Sequence, residues 1–272
     1  MKLPEITNKQ QTIIKLIYKY RFLNRKQIQA LMNHKDYKTI NVWLKDLAEK
    51  QYLERIYSTH FAERTKPAIY YLGINGIRSL KITEEYPLTE LRKRYREPSR
   101  SSGFIDTSIL LADCCLKLVG HNTKTTSYAS CVQAEYTSPD SDYHFLFDNE
   151  LISPNLCIRE EKDVPDKEGY VYVNHFLLEI FEPTLPRYRI KKRLTDYVKF
   201  LEDEEWEDEN DPQPIILLVC PRLTDLIYAK RRTRGLLANI WDEDDRADMH
   251  IRFTTTDKLA QHGALGDIWE EA

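Results

Sequence analysis

Asp36-Tyr37-Lys38-Thr39-Ile40-Asn41-Val42-Trp43-Leu44-Lys45-Asp46-Leu47 is the stretch on which the reading of the chain turns. Ile40, Trp43, Leu44 and Leu47 recur at helical spacing and define one apolar face. Asp36 stands where an N-cap belongs. The other face, counted from just before the cap, carries Lys35, Tyr37, Lys38, Thr39, Asn41, Val42 and Lys45. The expected helix therefore buries one side and offers cations, an amide and a hydroxyl on the other.

Upstream, two more helices are expected. Thr7 can cap the first, with Gln10 three residues later as in a capping box, and Ile13, Ile14, Leu16, Ile17 and Tyr20 follow at helical spacing. After Phe22-Leu23, Asn24 can cap a second helix that carries Ile28, Leu31 and Met32. A break at Asn33-His34-Lys35 separates it from the third. Three short helices with tight connections match a helix-turn-helix. Downstream, 51–57 and 68–72 read as paired antiparallel strands, and Gly73 precedes a further helix over 74–80. The polar loop between the strands, with Arg64 and Lys66, reads as a wing. Residues 1–80 are thus expected to form a winged helix-turn-helix domain whose partner is double-stranded DNA. In that reading the third helix enters the major groove. Lys35, Lys38 and Lys45 then serve phosphates, Tyr37 lies beside them, and Thr39 and Asn41 reach base edges. Arg64 and Lys66 reach an adjacent minor groove or the backbone.

Charge supports the same division. Residues 1–100 hold 21 Lys and Arg against 10 Asp and Glu, whereas residues 101–272 hold 19 against 33. So large an asymmetry points to a polyanion partner for the first part and a different task for the second. Residues 81–102, with Leu91-Arg92-Lys93-Arg94-Tyr95-Arg96 and a Pro/Ser break, read as a basic linker, either touching phosphates or merely connecting. Residues 103–272 read as a second domain. It opens with a buried helix over 104–119, and strands are expected near 126–136, 143–147, 170–181, 215–220 and 249–253. Helices are expected over 187–201 and 223–240, with a short one at the end. The whole is an α+β protein whose second domain has a central mixed sheet. The acidic run 202–211 reads as a solvated loop.

Cys114, Cys115, Cys131, Cys157 and Cys220 lack zinc-ligand spacing and read as reduced core thiols. No apolar leader opens the sequence and no stretch reaches a membrane span, so a cytoplasmic protein without membrane partners is expected.

Two segments carry a family resemblance. One is Tyr20-Arg21-Phe22-Leu23-Asn24-Arg25-Lys26-Gln27-Ile28, with Trp43-Leu44-Lys45-Asp46-Leu47 and Tyr52-Leu53-Glu54-Arg55; the other is Phe176-Leu177-Leu178-Glu179-Ile180-Phe181-Glu182-Pro183-Thr184, with Lys192-Arg193-Leu194-Thr195-Asp196-Tyr197. In these the chain resembles the replication-relaxation family of plasmid and mobile-element proteins. The resemblance implies a second domain similar to the restriction-endonuclease fold. Nucleases of that fold use an Asp and a Glu on adjacent strands with a nearby Lys, so that two carboxylates hold a divalent cation and the Lys polarises water. Here the Pro-Asp step is Pro154-Asn155, the strand acid is Glu179, and the Lys position holds Phe181. Lys191 or Lys192 on the next helix could stand in for that Lys, and Glu135 could add a ligand. No metal ligand set and no cofactor are expected, and magnesium enters only in the enzymatic alternative. Two functions follow. One is a DNA-binding protein acting in replication, transfer or transcriptional control, whose inert nuclease-like domain forms a homodimer or engages replication or transfer proteins. The other is a metal-dependent DNA endonuclease delivered by the winged helix.

Overall fold

Thr7, Asn24 and Asp36 each start a helix by the same physics. A short polar side chain accepts hydrogen bonds from the free backbone N–H groups of the first turn. Thr7 and Gln10 form a reciprocal capping box on α1 (Asn8–Tyr20), and Asn24 and Gln27 repeat it on α2 (Arg25–Leu31). Asp36 opens α3 (Tyr37–Glu49) by accepting from the N–H groups of Lys38 at 2.9 Å and Thr39 at 3.0 Å. The computed structural model describes residues 3–57, 67–119, 124–125, 128–139, 141–147, 149–163, 171–202, 206, 212–241 and 243–272.

The described chain forms two compact units, Met1–Leu116 and Lys117–Ala272, and is mixed α+β. In the first, Ile13, Ile14 and Ile17 of α1, Ile28 of α2, and Ile40, Leu44 and Leu47 of α3 are fully buried. A small antiparallel sheet follows in the order β1 (Leu23–Asn24), β3 (Ile69–Leu72), β2 (Leu53–Ile56). Helix α4 (Ile74–Thr83) then lies so close to the preceding turn that a Cβ at Gly76 would meet the carbonyl oxygen of Tyr52.

Residues 81–102, expected as a linker, are folded. Helix α5 (Leu88–Arg94) and a 3-10 turn over Glu97–Ser99 bury Leu91, Arg94 and Glu97. Three guanidinium groups surround the fully buried Glu97 carboxylate. Arg21 donates two hydrogen bonds to it at 2.8 and 3.0 Å, Arg94 lies at 3.7 Å and Arg100 at 3.5 Å. Arg21 and Arg100 also lie over the Phe104 ring, and Arg94 over Tyr18. Arg94 and Arg100 of this stretch are thus turned toward a shared internal carboxylate. Helix α6 (Ser102–Val119), expected to open the second domain, begins in the first unit: Gln27 of α2 donates to its Ile109 carbonyl and to Asp113, both at 2.8 Å.

The second unit is built on a seven-stranded mixed sheet. Its strands are β4 (Lys124–Thr125), β5 (Tyr128–Tyr136), β6 (Leu156–Asp163), β7 (Val171–Ile180), β8 (Ile215–Cys220), β9 (Ile251–Thr255) and β10 (Glu270–Glu271), and they neighbour one another in chain order. β5, β6 and β7 form an antiparallel meander, and β7, β8 and β9 run parallel. Helices α8 (Arg187–Glu202) and α9 (Leu223–Leu237) cover one face: Ile190, Leu194, Tyr197 and Leu226 pack with Leu177, Phe181, Ile216, Leu218 and Phe253 in a single core. The segment 143–147, expected as a strand, is a one-turn helix α7 (His144–Phe147). Its Tyr143 and Phe145 rings gather with His175 and Trp206, and the Tyr143 hydroxyl is hydrogen-bonded to His175 Nδ1 at 3.1 Å. Helix α10 (Glu243–Asp248) precedes β9 and α11 (Thr256–His262) follows it.

All five cysteines are free, and four are buried. Burial pushes the Cys115, Cys157 and Cys220 thiols up to about 12, which leaves them protonated and inert. Among the described residues no helix is long and apolar enough to cross a membrane.

Candidate nucleic-acid interface

Because Ile40, Leu44 and Leu47 are drawn inward, the rotation of α3 about its axis is fixed. Lys35, Tyr37, Lys38, Asn41, Val42 and Lys45 are then all solvent-exposed. Tyr37, Asn41 and Lys45 follow one another at four-residue steps and so form a row along the helix. Lys45 approaches Glu49 at 3.8 Å, an exposed pair of little strength.

Thr39 differs from the other expected contacts. It is half-buried, and its hydroxyl donates to Asp36 at 2.6 Å. That bond, with those from the Lys38 and Thr39 N–H groups, holds the Asp36 carboxyl below its ordinary range. Thr39 therefore keeps only acceptor capacity for an outside partner and serves chiefly to fix the start of the helix. Arg64 and Lys66, expected on the wing, lie outside the described residues.

Sequence reading missed a contribution from α2. The Arg25 guanidinium lies over the Tyr37 ring at 5.4 Å, so it orders the exposed aromatic at the mouth of α3. Gln29 donates to the carbonyls of His34 and Lys35, which pins the α2–α3 turn. Lys26, Asn33 and Lys35 border a shallow groove beside that turn. Arg25, Lys26 and Gln29 are the polar positions of a short amphipathic helix, and that was the signal available.

In the second unit Asn155, immediately before β6, bonds the backbone of Leu178 and Ile180, the residues that flank Glu179 on β7. The side chains of Asn155 and Glu179 are both occupied. Asn155 Oδ1 accepts from the Ile180 N–H at 2.7 Å, and the Asn155 N–H donates to Leu178 O at 2.8 Å. Glu179 is buried; it accepts from the Tyr197 hydroxyl at 2.7 Å and lies 3.5 Å from Arg193 Nε. Phe181 is packed into the core, Lys191 and Lys192 are exposed on α8, and Glu135 accepts from the Asp142 N–H at 3.1 Å. These residues do not fit a divalent cation. The Asn155 oxygen is a neutral ligand already tying β6 to β7, and Glu179 already has a phenol and a guanidinium as partners. Among the described residues no three His, Cys, Asp or Glu side chains converge to hold a metal ion.

Burial raises the Glu179 carboxyl above its ordinary value, against the opposing pull of Arg193 and Tyr197. The folded state then holds this proton more tightly than the unfolded chain does. The group's contribution to stability falls as pH rises from the ordinary carboxylate range through the raised folded value. Glu179→Gln removes this titration and keeps an acceptor for Tyr197. Urea unfolding of both proteins at pH 5 and pH 8 is expected to show the wild type losing stability relative to the variant at the higher pH. Parallel pH profiles would contradict this account of Glu179.

The sequence pattern of the replication-relaxation family matches residues 14–215, most of the first unit and the sheet as far as β8. The chain belongs to that family. Neither a curated protein nor a solved structure matches it.

Proposed function

We propose that this member of the replication-relaxation family is a sequence-specific duplex-DNA-binding protein of a plasmid or other mobile element. In this reading it acts in replication, transfer or transcriptional control. The first unit reads DNA as a winged helix-turn-helix with α3 in the major groove. The observation that carries the reading is the exposed side of α3: Lys38 and Lys45 around Asn41, with Lys35 just before the helix, opposite a face that buries Ile40, Leu44 and Leu47. Lysines supply sequence-independent phosphate affinity, and an exposed amide can pair with an adenine edge. The second unit is a restriction-endonuclease-like fold without catalysis, used for self-association or for holding a replication or transfer partner.

An endonuclease is the competing reading, and the occupied Asn155, Glu179 and Phe181 weigh against it. Two measurements test the pair. Selection of duplexes bound by the full chain from a random pool is expected to enrich one sequence; recovery of an unenriched pool would defeat the proposal. Incubation of supercoiled and linear DNA with the full chain in manganese is expected to leave both intact. Cleavage lost in Glu179→Ala would favour the enzyme instead.

A further inference from the structure

The acidic balance of residues 101–272 hides a basic surface. Helices α8 and α9, which pack side by side, carry ten Lys and Arg against three Asp and Glu, so the rest of the segment is more acidic still. Arg187, Lys191 and Lys192 on α8 and Arg231, Arg232 and Arg234 on α9 are all exposed. None of the six forms an ion pair with a carboxylate among the described residues. Charges of this kind are ordinarily dispersed or paired on a soluble surface.

Between the two helices runs a groove of about 590 Å³ lined by Lys191, Tyr228, Arg231, Arg232, Gly235 and Asn239. Its walls are cationic on both sides. Gly235 leaves one stretch open, since nothing lies within 4 Å of where its Cβ would be. Arg187 from α8 and Arg232 from α9 lie over the Tyr228 ring at 5.2 and 5.5 Å. A guanidinium held over a ring loses less freedom on binding, and its planar fork matches phosphate oxygens. Arg187, which lies over the groove's Tyr228, and Lys191 stand one helical turn apart, so positive charge repeats along α8, as a repeating polyanion requires.

We infer that the α8–α9 groove is a second DNA contact, which grips the phosphate backbone without reading sequence. The inference rests on the proposed DNA-binding function and adds to it. The second unit then clamps duplex that the first unit has selected, and its contribution is uniform across sequences.

The test uses the full chain carrying Lys191→Ala, Arg231→Ala and Arg232→Ala together, titrated on a selected and a random duplex over a range of salt. All three positions are exposed, so an unchanged melting temperature is the control for folding. Binding is expected to weaken by the same factor on both duplexes, and the slope of log affinity against log salt to become shallower by about 3. Wild-type affinity and slope on both duplexes would overturn the inference. So would unchanged DNA binding with a polyglutamate probe that the wild type holds and the variant releases, because the groove would then belong to an acidic peptide. Failure of the α3 reading gives a different pattern: substitutions on α3 leave duplex preference intact while the groove variant still weakens binding.

Discussion

Glu97→Ala is expected to destabilise the first unit by about 3–5 kcal/mol, the range for removing one partner from a buried ion pair. The carboxylate is fully buried, and so is most of Arg94, one of the three guanidinium groups around it. The substitution leaves those cations facing one another without the carboxylate they share. It also frees Arg21, which holds a left-handed backbone conformation (φ 67°) at the end of α1 and is anchored there through its side chain. Glu97→Gln keeps the shape and loses the charge, so it should cost nearly as much. Arg92→Ala and Arg96→Ala, exposed on the same stretch, should stay within about 0.5 kcal/mol of wild type. Urea unfolding followed by far-ultraviolet circular dichroism measures all four. A Glu97→Ala loss below about 1 kcal/mol would mean that the cluster is more solvated than its geometry indicates.

The second large effect concerns recognition. On the DNA-binding reading, Asn41→Ala should cost about 1–3 kcal/mol on the selected duplex, the worth of a bidentate contact to adenine, and little on random duplex. Asn41 is exposed at the middle of the outward row of α3, and its side chain forms no hydrogen bond among the described residues. Thr39→Ala should act differently. It removes the hydroxyl bond to Asp36 and loosens the helix start, so it is expected to lower stability, with at most a secondary effect on preference. Fluorescence titrations of each variant on both duplexes separate the two roles. Equal losses on selected and random DNA would remove Asn41 from sequence reading.

The parts of the fold that were legible in the sequence are those governed by local rules. Thr7, Asn24 and Asp36 announced three helices because capping is decided within four residues. Glu97 was not legible as a buried acid because Arg94 and Arg100, three residues to either side, looked like part of a solvated basic run, and Arg21, its hydrogen-bonding partner, lies 76 residues away. Strand β6 was passed over because Arg159-Glu160-Glu161-Lys162-Asp163 looks like a solvated loop. It is held as a strand by ladders on both sides and by pairs such as Glu160 with Lys162. The aromatic run 143–147 mimicked a strand, but one helical turn lets Tyr143 and Phe145 join His175 and Trp206. The α8–α9 groove escaped notice for another reason: charge summed over a long segment averages a basic face into an acidic whole.

The most direct test of the DNA-binding account is a salt titration of the full chain on duplex DNA, wild type beside Lys35→Ala/Lys38→Ala/Lys45→Ala. All three lysines are exposed, Lys35 just before α3 and Lys38 and Lys45 on it, so folding should be unaffected. The account predicts that wild-type affinity falls steeply between about 50 and 200 mM salt, and that the variant binds more weakly with a slope shallower by about 3. A variant that binds as tightly as the wild type, with the same dependence on salt, would contradict it.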